Sequence, residues 1–192
     1  MQSSTASPTL IRKWVSERGL AIDLGLVVSF ALFTALMAQV SIPLPFTPVP
    51  ITGQTFAVLL TGSLLGSRLG VSAMALYVAM GAIGLPFFAH GAHGFAIVTG
   101  VTGGYLIGFI VAGLVVGLLA ERGWDRKLPH SAVAMLAGEV LIFTFGLLWL
   151  GYSLHWPANL LTLGLFPFLI GEAIKVAAAA LVIPAGWRLP RA

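Results

Sequence analysis

Apolar runs, the second of them short, separated by brief intervals rich in proline, glycine or charge, set the pattern of this 192-residue chain. The runs lie at about residues 21–40, 53–67, 69–88, 103–120, 131–154 and 165–187, and almost no charge interrupts them. About 20 apolar residues at ~1.5 Å rise each cross the ~30 Å hydrocarbon core of a bilayer. The pattern predicts an all-α integral membrane protein with six transmembrane helices in one bundle over 21–187. A tail with a surface helix (1–20) precedes it and a short tail (188–192) follows. The stretch LIRKWVSERGL, residues 10–20, is amphipathic and basic, and its Trp14 suits a membrane interface. A signal peptide fits poorly there, because the following run is too long and no small-x-small site closes it.

The intervals between the runs are unusual. In SIPLPFTPVPIT, residues 41–52, Pro43, Pro45, Pro48 and Pro50 remove backbone donors and forbid a regular helix. Phe46, Val49 and Ile51 keep the segment apolar, so it reads as a stiff strap over the mouth of a cavity. An ordinary interhelical connector is the plainer reading. The glycine-rich stretch 84–103 carries His90 and His93 as HGAHG. That pair would need further ligands to hold a metal and none is near, so no metal is expected and a loop lining a ligand entrance fits better. Thr102-Gly103-Gly104-Tyr105 opens the next run. Its glycines either expose backbone N–H groups to an anion at a helix start or permit close packing.

Charge then fixes the expected orientation. Six spans place both termini on one side, together with Arg12, Lys13, Arg18, Arg68, Arg122, Arg126, Lys127, Arg188 and Arg191. The opposite side receives no lysine or arginine, so both termini are expected in the cytoplasm. The strap, the His loop and the turn at 155–164 then share the outer face. A content of 58% hydrophobic and 8% charged residues, with mean hydropathy +1.01, excludes a soluble domain. The net charge of +4 reports topology, and no nucleic-acid partner is expected. The absence of cysteine excludes disulfides and thiolate chemistry. No phosphate-binding G-x-x-x-x-G-K-[ST], G-x-S-x-G or H-E-x-x-H occurs, so an enzyme is not expected, nor a cofactor, and any ATP hydrolysis belongs to other polypeptides.

Three features inside the runs carry chemistry. Glu172 and Lys175 are three residues apart, share a helix face and can reach each other. Buried in a membrane, they either lock helices in register or form a polar site for a small ligand with donors and acceptors, and the second reading is favoured. Glu139, near the basic end of its run, is read as structural, snorkelling or pairing with a neighbour. Ala31 and Ala35 form a small-xxx-small pair that admits another helix.

Four stretches, SIPLPFTPVPITGQTFAVLLTGSLLG, ALYVAMGAIGLPFFA, TGVTGGYLIGF and GEAIK, together resemble the BioY family over about 21–185. These are the biotin-specific substrate-binding (S) components of energy-coupling factor transporters. The resemblance implies a six-helix bundle in the bacterial cell membrane that captures biotin from outside with high affinity. Its partners would be a membrane coupling protein and two ATPase subunits. Some members work without them, which would make the chain a self-sufficient, oligomeric carrier. By the same resemblance Glu172 and Lys175 sit at the biotin site, where the family usually has Asp in place of Glu172. Gln54 and the strap, with Phe46, match the loop covering the ligand, and His90 falls at a variable or polar position. Val101 stands where the family usually has Pro before Gly103, Gly104 and Tyr105. Ala31 and Ala35 match the face offered to the coupling protein. Biotin's ureido N–H groups would suit Glu172, its carbonyl Lys175, and its carboxylate the helix start at Gly104 and Tyr105. The reversed pose, with the carboxylate on Lys175, stays open.

Overall fold

The computed structural model describes residues 8–15 and 19–190. Arg18, Arg191 and most of the N-terminal tail lie outside them. A short helix α1 (Leu10–Trp14) leads to α2 (Leu20–Gln39), α3 (Gln54–Leu65) and α4 (Ser67–Ala82). There follow α5 (Phe95–Thr99), α6 (Gly103–Glu121), α7 (Leu128–Ser153), α8 (Leu160–Gly164) and α9 (Leu169–Arg188). Among the described residues, α2, α6, α7 and α9 are long and apolar enough to cross a membrane. Helix α3, with 12 residues, lies within the short span expected at 53–67, and α4, with 16, stops short of the span expected to reach residue 88.

Local chemistry explains where the helices stop. The run expected to reach residue 88 leaves the helix after Ala82, because Gly84 takes φ +116° and Pro86 follows. The run expected from residue 165 becomes helical only at Leu169, past Pro167, and the expected turn before it contains α8. The strap closes on itself as a minimal hairpin. Ser41–Ile42 (β1) pairs antiparallel with Ile51–Thr52 (β2), and the four prolines between them end the ladder. Gly53 then starts α3, its N–H donating to Val40 O at 2.9 Å.

The core is built around α6, whose largest interface is with α7. Small residues let the backbones approach. A Cβ on Gly62 would lie 3.0 Å from Gly113 O, and one on Gly117 2.4 Å from Ser67 N. Glu121, ending α6, accepts from Ser67 N at 2.7 Å and Ser67 Oγ at 2.8 Å, and so caps α4.

Helix α1 is bound to the bundle. Leu10 is buried against Gly186, and Lys13 Nζ donates to Trp187 O (2.7 Å) and Leu189 O (2.5 Å) at the end of α9. Arg12 pairs with Asp23 of α2. Ala31 and Ala35 do not form an outer face: they are 0% and 6% exposed, inside the cluster with Val58, Ala73, Met74 and Tyr77. The close-packing signal is satisfied by the chain's own α3 and α4. The outward stripe of α2 is Leu20, Leu24, Val28, Leu32 and Leu36.

Candidate functional site

Beneath the strap lies a cavity of about 220 Å³. Its roof is Pro48, Val49 and Pro50, with Phe88, Ala89, His90 and Ala92 at one side. Apolar wall comes from Leu106 and Phe109 of α6, Ile142 and Phe143 of α7, and Phe168. The Tyr105 and Phe143 rings meet edge to face at 6.1 Å, and Phe143 and Phe168 stand 6.2 Å apart, which makes a continuous aromatic surface. Thr52, Gln54, Thr55, Thr102 and Glu172 add the polar groups.

Glu172 reaches the cavity from the first turn of α9 and is 6% exposed. Its Oε1 accepts from Lys175 Nζ at 2.7 Å and its Oε2 from Thr55 Oγ1 at 2.6 Å. Lys175 Nζ also donates to Thr55 Oγ1 at 3.1 Å and to the Thr52 carbonyl. All three ammonium protons are therefore committed within the protein. The ammonium compensates Glu172 and ties the end of the strap to α9, and the Lys175 side chain stands behind Glu172 rather than in the cavity lining. The Glu172 carboxylate keeps lone pairs facing the cavity.

Gln54 opens α3 beside this group. Its Nε2 donates to Tyr77 OH at 2.5 Å, and Tyr77 OH donates to Phe87 O at 3.3 Å. The tyrosine's single proton is used, so it can only accept from Gln54. That fixes the amide with Oε1, which has no donor among the described residues, left as an acceptor.

Other expected contacts fall elsewhere. Phe46 is 55% exposed and does not line the cavity; it lies on the outside of the hairpin. Gly104 packs against α7, where a Cβ would lie 2.2 Å from Trp149 Cβ. Of the two readings of that turn, close packing holds for this residue. The Tyr105 ring lines the cavity, but its hydroxyl donates to Gly164 O at 2.8 Å. His90 lines the mouth at φ +59°, with Nδ1 3.1 Å from Ser41 Oγ, whereas His93 is turned toward Gly91 O. Among the described residues no three His, Asp or Glu side chains converge on a metal position.

Sequence reasoning missed Thr55, Tyr77 and Gln39. Gln39 accepts from Gly91 N at 3.0 Å and donates to Phe88 O at 3.2 Å, which staples the His loop to α2. Thr47 Oγ1 likewise holds the strap to Leu163 O at 2.5 Å. A polar residue at the end of an apolar run was the available signal for Gln39.

The BioY family model matches residues 6–192. The chain belongs to the BioY family. The biotin transporter BioY of Thermotoga maritima is 38% identical over 159 residues, covering 81% of this chain and 92% of that protein. The probable biotin transporter BioY of Pyrococcus horikoshii is 35% identical over 162 residues, covering 84% and 94%. The crystal structure of the S-component for biotin from an ECF-type ABC transporter superposes with a TM-score of 0.78 at 24% identity. It covers 89% of this chain and 93% of that one, so the two share a fold. BioY relatives are membrane transporters, and this chain is a multi-pass membrane protein of that family.

Proposed function

We propose that this chain serves biotin uptake, capturing biotin from outside the bacterial cell (inner) membrane as the substrate-binding subunit of an ECF-type transporter. Family membership and the names of its relatives support the substrate. The observation that carries the reading is an acceptor group, Glu172, held by Thr55 and Lys175 on the floor of an otherwise apolar cavity. A ureido ring offers two N–H donors to such a carboxylate, and the Gln54 Oε1 stands ready for a second contact. The thiolane ring and valeryl chain match the wall of Tyr105, Phe109, Phe143 and Phe168. The carboxylate then extends toward His90 and Thr102 at the mouth.

The chain crosses the bilayer six times, with α3 and α4 completing the bundle as short spans. Both termini are cytoplasmic, because Arg12, Lys13, Arg68, Arg122, Arg126, Lys127 and Arg188 sit at the helix ends away from the strap. A membrane coupling protein and two ATPase subunits supply the energy, since the chain has no phosphate-binding loop of its own.

Calorimetry on the purified chain in detergent, with desthiobiotin and thiamine as controls, tests the capture step. One-to-one, biotin-selective binding is expected, and a folded protein that binds thiamine equally well or binds no biotin overturns it. Expression of the chain alone then separates the two transport schemes. Biotin accumulation without partner subunits would refute the requirement for ATPases.

A further inference from the structure

Glu139 lies on α7, one turn toward the basic end from Ile142 and Phe143 of the cavity wall. It is 5% exposed, and neither carboxyl oxygen has a donor among the described residues. It lies close enough to Glu172 and Lys175 of α9 to interact with both. Two ionised carboxylates are acceptors only, so no hydrogen bond forms between them until one takes up a proton. Lys175 has no donor to spare for Glu139, since its contacts are Glu172, Thr55 and Thr52.

Charge balance leads the same way. One ammonium against two carboxylates leaves a net negative charge within a membrane-embedded bundle, a costly state unless a cation joins. The other elements packed on α7 offer none at this level. Helix α3 and α8 carry no charged residue, and α6 carries only Glu121 at its far end. Asp125 and Arg126 lie beyond the start of α7, roughly three turns away. Around the neighbouring Gly138, α3 and α6 present Leu59, Ala112 and Val116. Two carboxyls are too few oxygens to replace the hydration shell of a metal ion, whereas a proton needs only these two.

We propose that Glu139 is a proton-binding site: it takes one proton from the aqueous phase and donates it in a hydrogen bond to Glu172, and the chain captures biotin in this electroneutral state. One O–H bond forms on Glu139 as one is given up by hydronium, and no electrons are transferred. With Glu139 ionised, its charge opposes Glu172 and competes for Lys175, drawing the ammonium from the Thr52 carbonyl that anchors the strap. Capture and proton occupancy are thereby linked. The link to biotin rests on the function proposed above; the proton site itself does not.

The test uses the purified full chain and the isosteric variant Glu139→Gln, in sodium-free buffer from neutral to alkaline pH. Wild-type biotin affinity is expected to fall by up to about tenfold per pH unit as Glu139 gives up its proton, whereas Glu139→Gln holds its affinity. Infrared spectra of the ligand-free wild type should show a deuterium-sensitive C=O band of a protonated carboxyl that Glu139→Gln lacks. Parallel pH profiles, absence of that band, or an affinity that follows added sodium rather than pH overturns the proposal. If Glu139→Gln does not fold, the band and the wild-type profile still decide. A wild type that shows the band but binds no biotin at any pH sinks the biotin reading and leaves the proton site standing.

Discussion

Replacing Lys175 by Met removes the charge that compensates Glu172 while keeping most of the side-chain volume. The ammonium serves Glu172 Oε1 at 2.7 Å, Thr55 Oγ1 at 3.1 Å and the Thr52 carbonyl. Without it, a carboxylate only 6% exposed keeps Thr55 as a donor but loses its compensating charge. Deleting one member of a buried ion pair costs about 3–5 kcal/mol, a large part of a typical folding stability. Glu172→Gln should cost a similar amount, because it strands the ammonium. The double variant, Glu172→Gln with Lys175→Met, removes both charges, and such neutral replacements are often close to neutral in stability. The sum of the two single losses should therefore exceed the double loss by at least about 2 kcal/mol. Unfolding of the purified proteins in detergent measures the stabilities, and biotin calorimetry measures function. The double variant should recover stability without recovering binding, since the acceptor carboxylate is gone. Losses that add to within about 0.5 kcal/mol would refute the coupling drawn here.

Tyr77→Phe removes the hydroxyl that receives Gln54 Nε2 at 2.5 Å, and should cost about 1–3 kcal/mol of stability. With the amide no longer fixed, biotin affinity should drop by roughly 5–30-fold; unchanged affinity would remove Gln54 from the site. Gly104→Ala places a Cβ 2.3 Å from Phe145 O and should destabilise by about 1–3 kcal/mol or more. Gly171→Ala, with nothing within 4 Å, should gain up to about 1 kcal/mol, so the two thermal midpoints should move in opposite directions. Asp125, in the loop before α7, is pushed up to about 6 by burial, against the indole N–H of Trp187 at 2.8 Å. The folded state then holds this proton more tightly than the unfolded one, so its contribution to stability is present below pH ~4 and declines toward pH ~6. The wild-type midpoint minus that of Asp125→Asn should fall over this window, and a flat difference would refute the assignment.

The mostly helical, membrane-embedded character was legible because long uncharged runs leave the backbone no other way to satisfy its hydrogen bonds. Helix ends were less so. Hydropathy continues through Ile83-Gly84-Leu85-Pro86, where backbone geometry does not. The Glu172–Lys175 pair was readable from its spacing, but whether each side chain faces ligand or protein depends on Thr52 and Thr55, which arrive from another segment. Tyr77 and Thr55 sit in apolar runs where a hydroxyl produces no periodic signal. Ala31 and Ala35 show a further limit: small-residue spacing announces close packing without saying whose helix closes on it.

The strap makes the cavity by interrupting a helix. Helix α3 covers about 18 Å, well short of the hydrocarbon core, and is buried on nearly every face. Extending it outward would fill the volume above Gln54 with side chains. The prolines stop that extension, and the hairpin covers the vacant level with a thinner, donor-poor backbone. Non-helical backbone at such a depth persists only where protein or a cavity shelters its polar groups. The strap meets that requirement at named points: β1 on β2, Thr47 on Leu163, and the Thr52 carbonyl on Lys175. The last ties the roof to the residue that compensates Glu172, so a ligand that draws on Glu172 also acts on the anchor of the strap. Under the proposed function, recognition at the floor and closure at the roof would be joined through one ammonium group.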